Sequence, residues 1–226
     1  MKIKWGALVV DGRGKVGGHV ASRNRAGAYI RTKVTPVNPN TPAQQAVKAI
    51  LTSLSQAWRG LTQAVRDAWD SAVADFAVTD IFGDSIQPTG KNLYTRLNAN
   101  ITSIGEPTIG TPPSLAPVLP MPVNGVTIAI GAGTYELDFT AADATMAAQL
   151  WATEPVSPGK SFVKNLYRQI GVVDGAAVSP FDFQAAYEAK FGVPPVGEKV
   201  FVKLVPVVKT TGQKGVESSG FAIVAA

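Results

Sequence analysis

The chain contains no cysteine. That removes disulfides, thiolate metal sites and a cysteine nucleophile together, and it leaves the redox compartment open. Histidine occurs once, at His19, so a histidine-based metal cluster is excluded. A Ser-His-Asp triad would have to rest on a residue inside a glycine-rich basic segment. Long apolar runs are missing as well, because no stretch reaches the roughly 18 residues that span a bilayer. The opening Met1-Lys2-Ile3-Lys4-Trp5-Gly6-Ala7-Leu8-Val9-Val10-Asp11 is basic, but its apolar run is short and ends at Asp11, unlike a secretory signal. The expectation is a soluble product made in the cytoplasm, with no membrane partner.

Acidic residues are scarce at the front of the chain. Residues 1–48 hold nine basic side chains (Lys2, Lys4, Arg13, Lys15, Arg23, Arg25, Arg31, Lys33 and Lys48) against Asp11 alone, so the net charge of +5 belongs to this segment. Such an asymmetry fits a basic arm laid on nucleic acid or on an acidic neighbouring surface. The plainer reading is a solvated face that keeps the protein soluble. Glycines at 6, 12, 14, 17, 18 and 27 separate short β-prone runs, Ala7–Val10, Lys15–Ala21 and Ala28–Val34, with turn chemistry in Ser22-Arg23-Asn24-Arg25-Ala26-Gly27. This pattern predicts a β-ribbon, which alone is marginal in water and needs support from helices or from another subunit.

Thr41-Pro42-Ala43-Gln44 is a capping box with proline at the first helical position. Val47, Ile50, Leu51, Leu54, Trp58 and Leu61 then fall on one face of a helix of about five turns. Gly60 ends it. A second helix near Thr62 carries Val65, Trp69, Val73 and Phe76 on one stripe, so a helical hairpin with both tryptophans packed between its helices is expected. A shorter helix follows at Asn92–Ile101. Six prolines (107, 112, 113, 117, 120 and 122) in residues 105–122 forbid regular helix and read as a stiff linker. Beyond it come the strand-like runs 126–130, 135–140, 149–153, 162–170, 199–208 and 220–224, with one helix over Pro180–Phe191. The expected architecture is α+β: a basic β-ribbon and helical assembly domain (1–104), a Pro-rich linker (105–122) and a C-terminal β-sandwich of immunoglobulin or fibronectin-III type (123–226).

Chemistry-bearing motifs fail on context. Gly12-Arg13-Gly14-Lys15-Val16-Gly17 spells G-x-G-x-x-G, but Gly18 and a ribbon follow where a dinucleotide site needs a helix and, about 20 positions on, an acid. Asp67, Asp70, Asp75, Asp80 and Asp84 match neither an EF-hand nor an acid–base pair, and they read as a solvated acidic face able to receive the basic arm of another copy. Arg13, Lys15, Arg23, Arg25, Tyr29, Arg31 and Lys33 are the candidate partner-contact residues, since cations beside an aromatic ring can neutralise phosphate and stack on a base. No catalytic, cofactor-binding or metal-binding residue is expected.

Gly14–Gly18 through Ser22–Arg31, then Asn38-Pro39-Asn40-Thr41-Pro42-Ala43-Gln44-Gln45-Ala46-Val47, and Gly90-Lys91-Asn92-Leu93-Tyr94, resemble a family of uncharacterised proteins encoded by phages, prophages and bacteria. In that family a basic glycine-rich ribbon runs into an N-P-x-T-x-x-Q helix start. The resemblance covers about the first 100 residues and implies phage context, with no catalytic residues to map. The expectation is therefore a non-enzymatic bacteriophage virion structural protein. It would be a capsid-associated or decoration subunit that is homo-oligomeric or bound to other virion proteins, with nonspecific contact to packaged nucleic acid conceivable. The alternatives are a tail or surface module that binds host glycan or protein, and a nonspecific nucleic-acid-binding protein.

Overall fold

The computed structural model describes residues 1–6, 9–24 and 26–226. Ala7 and Leu8 of the first expected strand, and Arg25 of the candidate contact set, lie outside the described residues. Val9 and Val10 are described and are not in a strand.

The fold is mixed α+β, with four helices and strands in four antiparallel sheets among the described residues. The first sheet is built from β1 (Lys2–Ile3), β2 (Gly14–Val16), β3 (His19–Asn24) and β4 (Gly27–Thr32), in the order β1-β4-β3-β2. The expected strand Lys15–Ala21 is in fact a hairpin, because Val16 pairs with His19 around a Gly17-Gly18 turn. Gly17 sits at φ 56°, a left-handed conformation that a two-residue hairpin turn requires and glycine adopts without strain.

Helix α1 (Pro42–Gly60) has the capping box that the sequence announced: the Thr41 hydroxyl accepts from Gln44 N–H, and the Gln44 side chain accepts from Thr41 N–H. Helix α2 (Gln63–Ala72) follows, then a small hairpin of β5 (Val78–Thr79) and β6 (Ser85–Ile86), then α3 (Gly90–Ser103). Helices α1 and α2 do not pack on each other as the expected hairpin with both tryptophans between them. Each of α1 and α2 packs on α3 instead, and the Tyr94 ring stands between Trp58 and Trp69, at 5.3 Å and 5.4 Å between centroids. The physical reason lies in α3, whose stripe of Leu93, Tyr94, Leu97 and Ile101 is buried throughout and offers both neighbours a continuous apolar face. Gly90 makes this approach feasible, since a Cβ there would lie 2.6 Å from the Asp70 carboxylate that accepts its N–H.

Residues 105–122 form no helix or strand. Their first part is fastened to the helices: Asn98 donates to Ile109 C=O and accepts from Ile109 N–H, and the Trp69 indole N–H donates to Gly110 C=O at 2.8 Å. Their last part belongs to the second core, in which Met121 is buried.

That core draws its side chains from two sheets. One has the order β11-β8-β7, from β7 (Val123–Ala129), β8 (Thr134–Phe139) and β11 (Phe181–Asp182). The other, β10-β9-β12-β13, contains β9 (Met146–Ala152), β10 (Arg168–Asp174), β12 (Lys199–Val208) and β13 (Ser218–Ile223). Ile128, Tyr135, Leu137 and Phe139 from the first meet Leu150, Val173, Val202 and Leu204 from the second in one buried cluster, joined by Tyr187 of α4 (Gln184–Phe191). Two expected spans shift. The strand placed at 162–170 runs at 168–174, because β10 follows β9 only from Arg168 onward, and Phe162 is left 72% exposed in a loop. The helix placed at 180–191 begins at Gln184, since Phe181 and Asp182 pair with Leu137 and Glu136.

The two cores touch through α3. Ile104 packs with Ala147 and Val207, the Gln169 side chain donates to Ser103 C=O, and Asn100 donates to Gly212 C=O at 2.8 Å. Gly212, at φ 71°, lets the loop after β12 close on α3, as a Cβ would come within 2.3 Å of the Leu97 carbonyl oxygen.

Candidate assembly surface

The register of the first sheet sorts the expected contact residues by face, because residues directly opposite one another share a side and alternate ones do not. Lys15 lies opposite Val20, which lies opposite Arg31, and Tyr29 follows on the same face with Ser22 and Lys2. Arg23 points to the other face, with Ala21, Ala28, Ile30 and Ile3. The structure thus brings Lys15, Tyr29 and Arg31 together and separates Arg23 from them. Arg13, in the loop before β2, is 3.4 Å from Asp11. Lys33 lies just past β4, where its N–H donates to Gly18 C=O. Lys15, Arg23, Arg31 and Lys33 are exposed and make no ion pair among the described residues.

Two other cations do have partners, which were missed in reading the sequence because they lie about 80 residues away. Lys2 Nζ is 2.9 Å from Asp80 Oδ2, and Lys4 Nζ is 2.8 Å from Asp84 Oδ2 and 5.3 Å from the centre of the Phe82 ring. The β5–β6 turn prepares this cradle. Asp80 Oδ1 accepts from the N–H groups of Phe82 and Asp84, which leaves Oδ2 for the lysine. The hydrogen bond donated by Lys2 holds the Asp80 carboxyl below its ordinary pKa, and the one that Lys4 donates to Asp84 raises the ammonium above its own. Part of the expected acidic face therefore does receive the basic arm, here within one chain. Asp70 instead caps α3 at Gly90, and Asp67 accepts from Gln63.

Beyond those contacts the front of the chain is bare. Residues 31–49 are exposed throughout, and among the described residues no side chain before Ile50 joins a hydrophobic cluster. The expected apolar face of α1 is covered from Leu54 onward, while Val47 and Leu51 remain 58% and 45% exposed. Packing on α3 reaches only the second half of the helix. A shallow hollow of about 470 Å³ bounded by Asn38, Ala43, Gln44, Val47 and Lys48 marks the uncovered half.

A second exposed feature lies on the outer face of β9-β12-β13. Lys199 Nζ sits 4.7 Å and 3.8 Å from the ring centres of Phe201 and Phe221, and Lys203 Nζ sits 5.6 Å and 4.7 Å from those of Trp151 and Tyr167. Lys203 is also bound to Glu217 at 2.8 Å. One end of this sheet face is covered by α3 through Ala147 and Val207, and the aromatic end is open.

A cleft of about 430 Å³ between the two cores is lined by Asp75, Arg96, Asn100, Gln213 and Lys214 among others. Burial lowers the pKa of both Arg96 and Lys214. No group of three metal-ligating side chains gathers among the described residues, and no helix there is long and apolar enough to cross a membrane. The glycines at 12, 14 and 17 run into β2 and its hairpin, where a phosphate-binding loop would open a helix. No family model, curated protein or solved structure matches the chain.

Proposed function

We propose that this chain is a non-enzymatic structural subunit of a bacteriophage virion, a capsid-associated or decoration protein that joins copies of itself or other virion proteins through its basic N-terminal arm. The observation that carries this reading is the contrast in burial. Among the described residues, an ordered four-stranded sheet and half of a capped helix stand outside the hydrophobic clusters, with Lys15, Arg23, Arg31 and Lys33 in no ion pair and an apolar stripe on display. A small sheet of this kind, marginal by itself, gains its stability from what it docks on. The C-terminal half, read as a compact β-sandwich of immunoglobulin or fibronectin-III type, is the part displayed outward.

Electron microscopy of the purified chain is the first test, with rings, tubes or shells expected. Removal of residues 1–35 should abolish them and leave the C-terminal strands folded by circular dichroism. Unchanged assembly of the shortened chain would take the arm out of the reading.

The aromatic and lysine strip favours a second reading, a tail or surface module that recognises host glycan or protein. An exposed ring, Phe221, and the half-buried Phe201, Trp151 and Tyr167 beside ammonium groups suit a recognition face. Binding of host-surface material by the intact chain, lost in Phe221→Ala with assembly unaffected, would move the function to that face.

A further inference from the structure

We propose that the N-terminal sheet is an exchange arm, which in the assembled state docks on the β5–β6 hairpin of a neighbouring copy through the same lysine–aspartate contacts that it makes within one chain. This deepens the assembly reading and rests on it, by naming the surface, the partner and the bonds.

Among the described residues, the side-chain contacts that hold the sheet to its own body are few and polar: Lys2 to Asp80, Lys4 to Asp84, and Lys4 over Phe82. No shared apolar cluster ties the two together among the described residues. The Lys4–Asp84 pair is exposed on both sides and contributes little by itself, the Lys2–Asp80 pair is more covered, and both form equally well with an identical partner. The connection from arm to α1, residues 33–41, is exposed along its whole length and forms no helix or strand. Extended, it reaches about 30 Å. Pro36 and Pro39 hold the residues before them away from helical backbone, so the segment resists folding back compactly. It also contains Asn40, at φ 52° the non-glycine residue in a left-handed conformation among the described residues. A stiff, exposed hinge beside a weakly held, self-complementary element is the arrangement from which exchange between protomers arises at low cost.

The receiving surface is prepared for such an occupant. Asp80 is fixed by two backbone N–H groups from its own turn, with one oxygen left over for a lysine. Around the pairs, Ile81 and Phe82 are 75% and 45% exposed, and the arm brings Lys15, Arg31 and Lys33, whose side chains are in no ion pair among the described residues. Inside a particle, where copies are held side by side, the effective concentration of a neighbour's hairpin rises and the exchanged form gains over the closed one. Because each copy gives an arm and receives one, a heterologous contact closes into rings or runs on as a filament.

The absence of cysteine makes a clean test available. Lys4→Cys combined with Asp84→Cys in the full chain, joined under assembly conditions by a bis-maleimide whose spacer replaces the length of the lysine side chain, should give covalent dimers and higher ladders on a denaturing gel. A cross-link confined to single chains overturns the exchange. Charge reversal gives an independent arm. Lys2→Glu/Lys4→Glu and Asp80→Lys/Asp84→Lys should each fail to assemble, and an equimolar mixture should recover assembly, because a glutamate arm meets a lysine hairpin only between chains. A mixture as inert as its components overturns the proposal. Sedimentation of the wild-type chain separates the two levels of inference. An oligomer whose cross-links are all internal keeps the assembly reading and removes the exchange, whereas a monomer at every concentration removes the assembly reading itself.

Discussion

Between Val123 and Val224 two sheets bury alternate side chains in one cluster, and the strands there bring Tyr135, Leu137, Leu150, Val202 and Leu204 to near-zero exposure. The first 49 residues fold into strands and helix of equal regularity and contribute nothing to any cluster among the described residues. Hydrogen-bonded ladders and a capping box are local and form wherever the chain permits them, whereas burial needs a second surface. The C-terminal half supplies its own second surface. The described residues among the first 49 leave it to be supplied, and on that ground we propose that assembly belongs to this segment.

The largest expected effect tests where stability begins. Trp69 has no exposed surface, lies edge-on to Tyr94 and donates to Gly110 C=O. Trp69→Ala should cost about 3–5 kcal/mol in denaturant unfolding, as other large aromatic truncations do. A loss under about 1 kcal/mol would mean that the helical core is as dispensable as the arm and would erase the contrast. The converse comes from the uncovered half of α1. Val47→Ser with Leu51→Ser should leave the unfolding midpoint within about 0.5 kcal/mol of wild type, as exposed substitutions do. The same pair should reduce self-association at least tenfold by sedimentation, because the apolar stripe would be lost. A large drop in stability with association unchanged would place this stripe in the protein's own core.

Local signals in the sequence foretold local structure well. The Thr41 capping box, the Trp69–Val73–Phe76 stripe, the β12 alternation and the lack of helix or strand across the proline-rich 105–122 are each dictated by side chains within a few residues of one another. Partnership across the chain was not legible. Nothing in the spacing of Trp58 and Trp69 says that Tyr94 will come between them, since that depends on how three helices share one face. The pairing of Lys2 with Asp80 and Lys4 with Asp84 hides in the same way, although an acidic cluster as the destination of the basic arm was inferable from charge alone. One short-range signal was overlooked: Gly17-Gly18 between β-prone residues marks a two-residue hairpin turn, and it splits the strand read as continuous. As for the candidate contact residues, composition selected only the segment. Strand register then put Lys15, Tyr29 and Arg31 on one side and Arg23 on the other, which no composition can tell.

The smallest expected effect concerns the arm's attachment and follows from the direction of two pKa shifts. Asp80 is held below its ordinary pKa by the hydrogen bond from Lys2, so its contribution to docking is fully present above the unfolded value of about 3.9 and is lost as pH falls through its own lower value. Lys4 is raised by Asp84, so its contribution is fully present below about 10.4 and is lost as pH climbs past its raised value. Attachment of the arm should therefore stay level across neutral pH and weaken at both extremes. The Lys4–Asp84 pair is exposed on both sides, so added salt should weaken it as the Debye length shrinks from about 10 Å at 0.1 M to about 3 Å at 1 M. The C-terminal core, held by apolar burial, should not respond to salt in this way. Hydrogen exchange at the amides of Ala28 and Ile30, compared with Val202 and Leu204, reads the two regions in one experiment. Faster exchange at the first pair alone, at low pH or high salt, is the expected result. Equal acceleration at both pairs would show that arm and core open together, and the two halves of the molecule would then have to be treated as one cooperative unit.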